Sequence, residues 1–111
     1  MEKPKALAFD FDGVIFPFSN GWSGGELYEA PAPYAMQMLS KLYQHGYEII
    51  IFTVYSRVRR KKDIMKWISH YMGDDYFEYK ITDRKPREVL AFIDDRAIRF
   101  TNWLDIVKYF I

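Results

Sequence analysis

The chain contains no cysteine, which excludes disulfide frameworks, cysteine-ligated zinc and thiol nucleophiles together. It also lacks any long apolar run. The stretch around Ile49–Phe52 falls far below the ~18 residues that a membrane span requires. No charge of one sign dominates: 16 Lys and Arg stand against 15 Asp and Glu, a net +1. Bulk attraction to nucleic acid or to a membrane surface is thereby excluded, and any basic surface must be local. Repeats and low-complexity tracts are absent. With 50 % hydrophobic and 19 % aromatic residues, the chain is neither disordered, collagen-like nor a coiled coil. Met1-Glu2-Lys3-Pro4 runs straight into a strand-like stretch with no signal peptide, so a cytoplasmic protein is the expectation. The length, 111 residues, suits a single domain over 1–111.

What is present is an alternation of apolar runs and amphipathic stretches. Ala6-Leu7-Ala8-Phe9 is a near-continuous apolar run stopping at Asp10-Phe11-Asp12-Gly13, the pattern of a strand buried on both faces. Gly13 and the stretch Val14–Pro33 together hold four of the six glycines and read as a loop or small hairpin. Ala35, Met38, Leu39, Leu42 and Tyr43 recur at helical spacing, with Gly46 suited to the C-terminal cap. Tyr47–Thr53 is a second buried strand. A second helix is predicted from near Ser56 to Gly73, striped by Ile64, Trp67, Ile68, Tyr71 and Met72. Phe77, Tyr79 and Ile81 alternate as in an edge strand, Val89–Ile93 is a fourth strand, and Ile98–Phe100 reads as a short fifth. Asn102–Phe110 closes the chain as a helix. This order predicts an α/β fold, a three-layer open parallel sheet of Rossmann-like type.

In such folds ligands gather beyond the carboxyl ends of the strands. Three predicted strands end on chemically capable residues: Asp10 and Asp12, Thr53, and Asp94 with Asp95. Asp10 and Asp12 lie two apart, so on a continuous strand their side chains leave on one side. Two carboxylates ~4 Å apart repel by roughly 4 kcal/mol at an effective dielectric near 20. A second acidic pair in the same crevice worsens this. A divalent cation relieves the repulsion, and all-oxygen ligation selects magnesium over softer metals. A solvated strand end or a helix cap is the plainer role of any one such pair; two pairs, each ending a buried apolar strand, favour the metal.

Leu7-Ala8-Phe9-Asp10-Phe11-Asp12-Gly13-Val14 resembles the first motif of the haloacid dehalogenase-like (HAD) superfamily of phosphotransferases, an apolar strand followed by Asp-x-Asp-Gly-Val/Thr. Ile49–Thr53 is similar to the second motif, Lys85 to the third, and Leu90–Asp95 to the fourth, in family order over residues 6–95. The resemblance implies a HAD-type phosphatase using Mg2+, in which Asp10 attacks phosphorus to form an aspartyl-phosphate. Asp12 would protonate the leaving oxygen and then activate water. Thr53 would hold a phosphoryl oxygen with its hydroxyl and a nearby backbone N–H, and Lys85 would neutralise the charge shared with Asp10. Asp94 would ligate the metal with Asp10 and the Asp12 carbonyl, and Asp95 would be a direct or outer partner. Each role has a plainer rival. Thr53 is also an ordinary β-branched strand residue, and Arg84 or Arg87 is an alternative cation to Lys85. His45 and His70 read as structural.

Forty residues separate Asp12 from Thr53 and 31 separate Thr53 from Lys85, all used by the predicted loop, helices and strands. Neither gap holds the cap domain that members of the superfamily often carry, so a minimal, capless type with a flap loop after the first strand is implied. Only eight residues lie between Lys85 and Asp94. The helix usual there is missing, one sheet face loses cover, and a homo-oligomer is the expectation. Arg57-Val58-Arg59-Arg60-Lys61-Lys62 places five cations at a predicted helix start, against the macrodipole. The run reads either as a solvated face or as a contact for a polyanion. Trp22, Tyr28 and Tyr34 either stack a base or anchor the loop.

Two rivals to the hydrolase remain. A receiver-like regulatory module also clusters acids, Thr and Lys on a parallel sheet, but the Asp-x-Asp spacing and first-strand position oppose it. A metal-dependent enzyme acting on nucleic acid, whether on a phosphodiester or as a nucleic-acid-end phosphatase, is the other. A phosphodiester site would want a further strand-end Glu or His that the chain does not offer.

Overall fold

In the computed structural model, which describes residues 5–111, seven elements follow in the order β1 (Ala6–Asp10), α1 (Ala35–Gln44), β2 (Glu48–Phe52), α2 (Lys61–Met72), β3 (Tyr79–Thr82), β4 (Ala91–Ile93) and α3 (Trp103–Lys108). The four strands form one all-parallel sheet ordered β3-β2-β1-β4. Strand β4 lies beside β1, so the connector 83–90 crosses two strands without a helix.

Register divides the sheet into two faces. Leu7 pairs with Ile49 and Phe9 with Ile51, while Ile51 pairs with Ile81. These side chains share one face and form a core with Met36 and Leu39 of α1 and Ile64, Trp67 and Ile68 of α2. Period-2 alternation in the strands meeting period-3.6 stripes on the helices accounts for this layer. The inward methionine of α1 is Met36, whereas Met38 is exposed. Tyr71 too is exposed, its ring tilted 59° against Trp67 and not enclosed. Phe11, Phe16, Tyr28 and Trp67 extend the core beneath the loop after β1, with ring centroids 5.0–5.8 Å apart. Each such pair contributes about 0.5–1.5 kcal/mol beyond area burial.

The opposite face corrects the predicted third layer. Ile50, Phe52 and Phe92 point away from the helices, and no helix covers them among the described residues. Helix α3 forms as predicted, its N-terminus capped by the Asn102 side chain accepting the Asp105 N–H at 3.0 Å. It buries none of its residues. The chain accordingly exposes 8265 Å², against roughly 6,500 Å² for a compact protein of its mass.

Two further expectations fail locally. Ile98–Phe100 is not a strand: β4 stops at Ile93, and beyond it the backbone pairs with no strand among the described residues. Helix α2 starts at Lys61, not near Ser56. Ser56 closes a turn instead, its N–H donating to the Arg59 carbonyl and its hydroxyl accepting the Arg59 N–H, both at 2.8 Å. Asp63 accepts the Arg60 backbone N–H at 3.0 Å and so supplies the acidic first turn the macrodipole favours.

Candidate active site

The carboxyl ends of β1 and β4 lie side by side, which brings the two acidic segments together. Oxygens of Asp10, Asp94 and Asp95 all fall within 4.8 Å of one another. Gly13 makes the approach possible. It holds a positive φ of 83°, and a Cβ there would overlap the Asp95 carboxylate. Asp94 and Asp95 are exposed and Asp10 is partly so. The site is therefore an open surface at the strand ends. The hollow of about 390 Å³ between Tyr43, Tyr47, Glu78 and Tyr79 lies at the opposite end of the sheet.

Crowding shows in the ionisation of these acids. Asp10 is pushed up to about 6, first by burial, then by its hydrogen bond and charge interaction with Asp94, then by the charges of Asp95 and Asp12. Asp94 is held below the usual carboxylate range, chiefly because the Arg96 backbone N–H donates to it at 2.8 Å. The Asp10 hydrogen bond and Lys85 lower it further. The same crowding thus moves the two acids in opposite directions, Asp10 up and Asp94 down. Three hard oxygen donors gathered within 4.8 Å of one another are a donor set that fits magnesium.

Asp12 departs from the predicted geometry. Strand β1 ends at Asp10, so the alternation that would send both carboxylates to one side does not reach Asp12. Its carboxylate turns to Arg59, whose Nη1 lies 2.7 Å from both oxygens. The Asp12 side chain is not among the three whose oxygens meet in the acidic cluster. Arg59 is 1 % exposed. Its Nε donates to the Gly25 carbonyl at 3.2 Å, and its guanidinium packs on Phe11, Phe16 and Trp22 at 4.9–5.6 Å from the ring centroids. Gly25, at φ 95°, leaves the room this side chain needs. One buried cation therefore fastens the loop after β1 to the acid at its start.

Comparison with protein-family models, curated proteins and solved structures finds no match for this chain. The site's chemistry has to be read from its own residues.

Thr53 follows the end of β2 and is 3 % exposed. Its N–H donates to the Thr82 carbonyl at 3.0 Å and is not free for a ligand. Its hydroxyl is buried with no hydrogen-bond partner among the described residues, a rare condition for a polar group. Lys85 lies near the acids, 4.7 Å from the Phe92 ring centroid and close enough to lower Asp94. Arg59 is the site residue the sequence concealed, since it stands in a run of cations that reads as solvated. Arg57, Arg60, Lys61 and Lys62 are exposed, but Arg59 is removed from any polyanion surface.

The raised Asp10 carboxyl has a thermodynamic consequence. The folded chain holds this proton more tightly than the unfolded chain, whose value is the ordinary 3.8. The associated stability is full below that value and is lost as pH rises through about 6. Magnesium should therefore raise the melting temperature more at pH 7.5 than at pH 5. Thermal melts in magnesium and in EDTA check this; an equal shift at both values refutes it.

Proposed function

We propose that the chain is a magnesium-dependent phosphomonoester hydrolase acting through an aspartyl-phosphate on Asp10. The observation that carries the reading is the meeting of Asp10, Asp94 and Asp95 at adjacent strand ends, with an unpartnered Thr53 hydroxyl at the end of the next strand. Asp10, Asp94 and Asp95 would hold the cation. When bound, it neutralises their mutual repulsion and the charge of the phosphoryl group.

The chain's own residues divide the remaining work. An Asp10 oxygen attacks phosphorus, the P–O ester bond breaks, and the leaving oxygen takes a proton from Asp12. Water then gives a proton to Asp12 and its oxygen attacks phosphorus. The acyl–phosphate bond breaks, freeing inorganic phosphate and restoring Asp10. Nη1 of Arg59 engages both Asp12 oxygens yet leaves each a lone pair for this traffic. The Thr53 hydroxyl donates to a phosphoryl oxygen, and Lys85 offsets charge from the exposed side.

The decisive assay is turnover of p-nitrophenyl phosphate with magnesium and with EDTA. Turnover lost in EDTA supports the reading. Stable phosphorylation by acetyl phosphate without turnover would make Asp10 a regulatory phosphoacceptor instead. Thr53→Val removes only the orphan hydroxyl. The melting temperature should hold or rise, because nothing loses a partner, while KM for the phosphoester rises several-fold. A stability loss without a KM change refutes the binding role.

We also propose that two copies pair, the C-terminal arm of each lying on the bare sheet face of the other. Phe100, Trp103, Leu104, Val107, Phe110 and Ile111 are 46–100 % exposed, and one sheet face displays Phe92 and Ile50. The arm alone presents roughly 900 Å² of apolar surface, about what each partner of a stable dimer buries. Light scattering at micromolar concentration should return a dimer mass that Leu104→Glu halves; a monomer refutes the pairing.

A further inference from the structure

We propose that Trp22 is a stacking platform for the leaving group, and that the substrate is the phosphomonoester of a nucleoside, either a free nucleotide or the phosphorylated end of a strand. The inference rests on the hydrolase reading above.

The three loop aromatics have different employment. Tyr28 is an anchor: its hydroxyl donates to the Gly21 carbonyl at 3.0 Å and accepts the Asn20 N–H at 2.9 Å, and its ring sits edge-on to Phe16. Tyr34 occupies the N-cap of α1, largely exposed, and its side chain makes no hydrogen bond or ring stack among the described residues. Trp22 alone is tied to the site. One face of its indole lies over the Arg59 guanidinium at 4.9 Å, and the same guanidinium grips Asp12. Arg59 is almost wholly buried, so Trp22 and Asp12 are neighbours across it. Half of Trp22 nevertheless remains in solvent, although enclosing a large aromatic is strongly favourable.

The chemistry decides what that free surface meets. Asp12 donates its proton to the leaving oxygen, so the leaving group departs on the Asp12 side of phosphorus. The apolar surface beside Asp12 is the indole. A flat ring carried by the leaving group stacks there; an alkyl or sugar alcohol gains far less. The cation beneath already holds the indole flat, so little freedom is lost on stacking. Every base offers a π-face, so weak discrimination among bases follows. Arg57, Arg60 and Lys61, all exposed and next to Arg59 in sequence, are suited to the further phosphates of a strand.

The test is steady-state kinetics of the full chain on adenosine 5′-monophosphate, a 5′-phosphorylated oligonucleotide and glycerol 2-phosphate. Base–aromatic stacking of about 1–3 kcal/mol converts to a 5- to 150-fold effect. The ratio of kcat/KM on adenosine 5′-monophosphate to that on glycerol 2-phosphate should fall by that factor in Trp22→Ala, mainly through KM, and Trp22→Phe should restore most of it. A preference for the oligonucleotide over the mononucleotide, lost in Arg57→Ala/Arg60→Ala, identifies strand ends as the source; its absence identifies free nucleotides. An unchanged ratio overturns the inference, as does wild-type turnover of glycerol 2-phosphate without turnover of either nucleotide. The latter leaves the hydrolase reading intact. No turnover of any ester overturns both.

Discussion

Asp10→Asn should abolish magnesium-dependent phosphoester turnover, by at least ~10³-fold, while leaving the fold at least as stable as wild type. Two opposite effects of one substitution make this a sharp test. Asparagine keeps the shape of the side chain but cannot form the acyl phosphate, so the covalent route closes. The same change deletes one charge from a crowded set in which Asp10 is already pushed up to about 6. At pH 7.5 the metal-free variant should therefore melt at or above the wild-type temperature. Mass spectrometry after a quenched single turnover should show a phosphorylated wild-type chain and an unmodified variant. Loss of activity together with loss of stability would mean that Asp10 is structural, and retained activity would end the hydrolase reading.

Asp12→Ala should do the reverse to the fold. It leaves the Arg59 guanidinium buried without the charged partner it has among the described residues. Breaking a buried pair costs about 3–5 kcal/mol, and because Asp12 is itself partly exposed the lower end applies. Against a total stability of about 5–15 kcal/mol for a small domain, this is a large fraction. The melting temperature should drop by ~10 °C or more. Adding Arg59→Met, which fills the same channel among Phe11, Phe16 and Trp22 without charge, should recover most of the loss. Urea midpoints of the single and double variants measure this directly. If Asp12→Ala unfolds no earlier than wild type, the pair does not hold the loop.

These two acids stand two residues apart in one motif, and their contrast shows what the sequence could and could not disclose. The parallel sheet, α1, α2 and the acids at strand ends were legible because each depends on a local period: apolar runs for buried strands, a 3.6 stripe for helices, and charge where a strand leaves the core. Arg59 was not legible. Its burial is set by a partner 47 positions away, and its neighbours in sequence are solvated cations. The start of α2 shifted for the same reason, since the chain must turn at Ser56 to carry Arg59 inward. Ile98–Phe100 has strand-forming residues but no adjacent strand among the described residues to pair with, and β propensity acts only through neighbours. The C-terminal helix formed where its pattern predicts, yet nothing in a periodicity says which surface receives it.

Strand β4 is three residues long, sits at the sheet edge and is tied to a partner more than 80 positions earlier in the chain. Contacts of such long sequence separation close late in folding, and thin edge elements are the first to open under native conditions. Because β4 delivers Asp94 and Asp95, a nascent chain cannot assemble its acidic triplet until the final strand has docked. A cation bridging that triplet would act as a clasp on the seam that opens most readily, so amide exchange at Phe92 and Ile93 should slow far more on adding magnesium than exchange in β2.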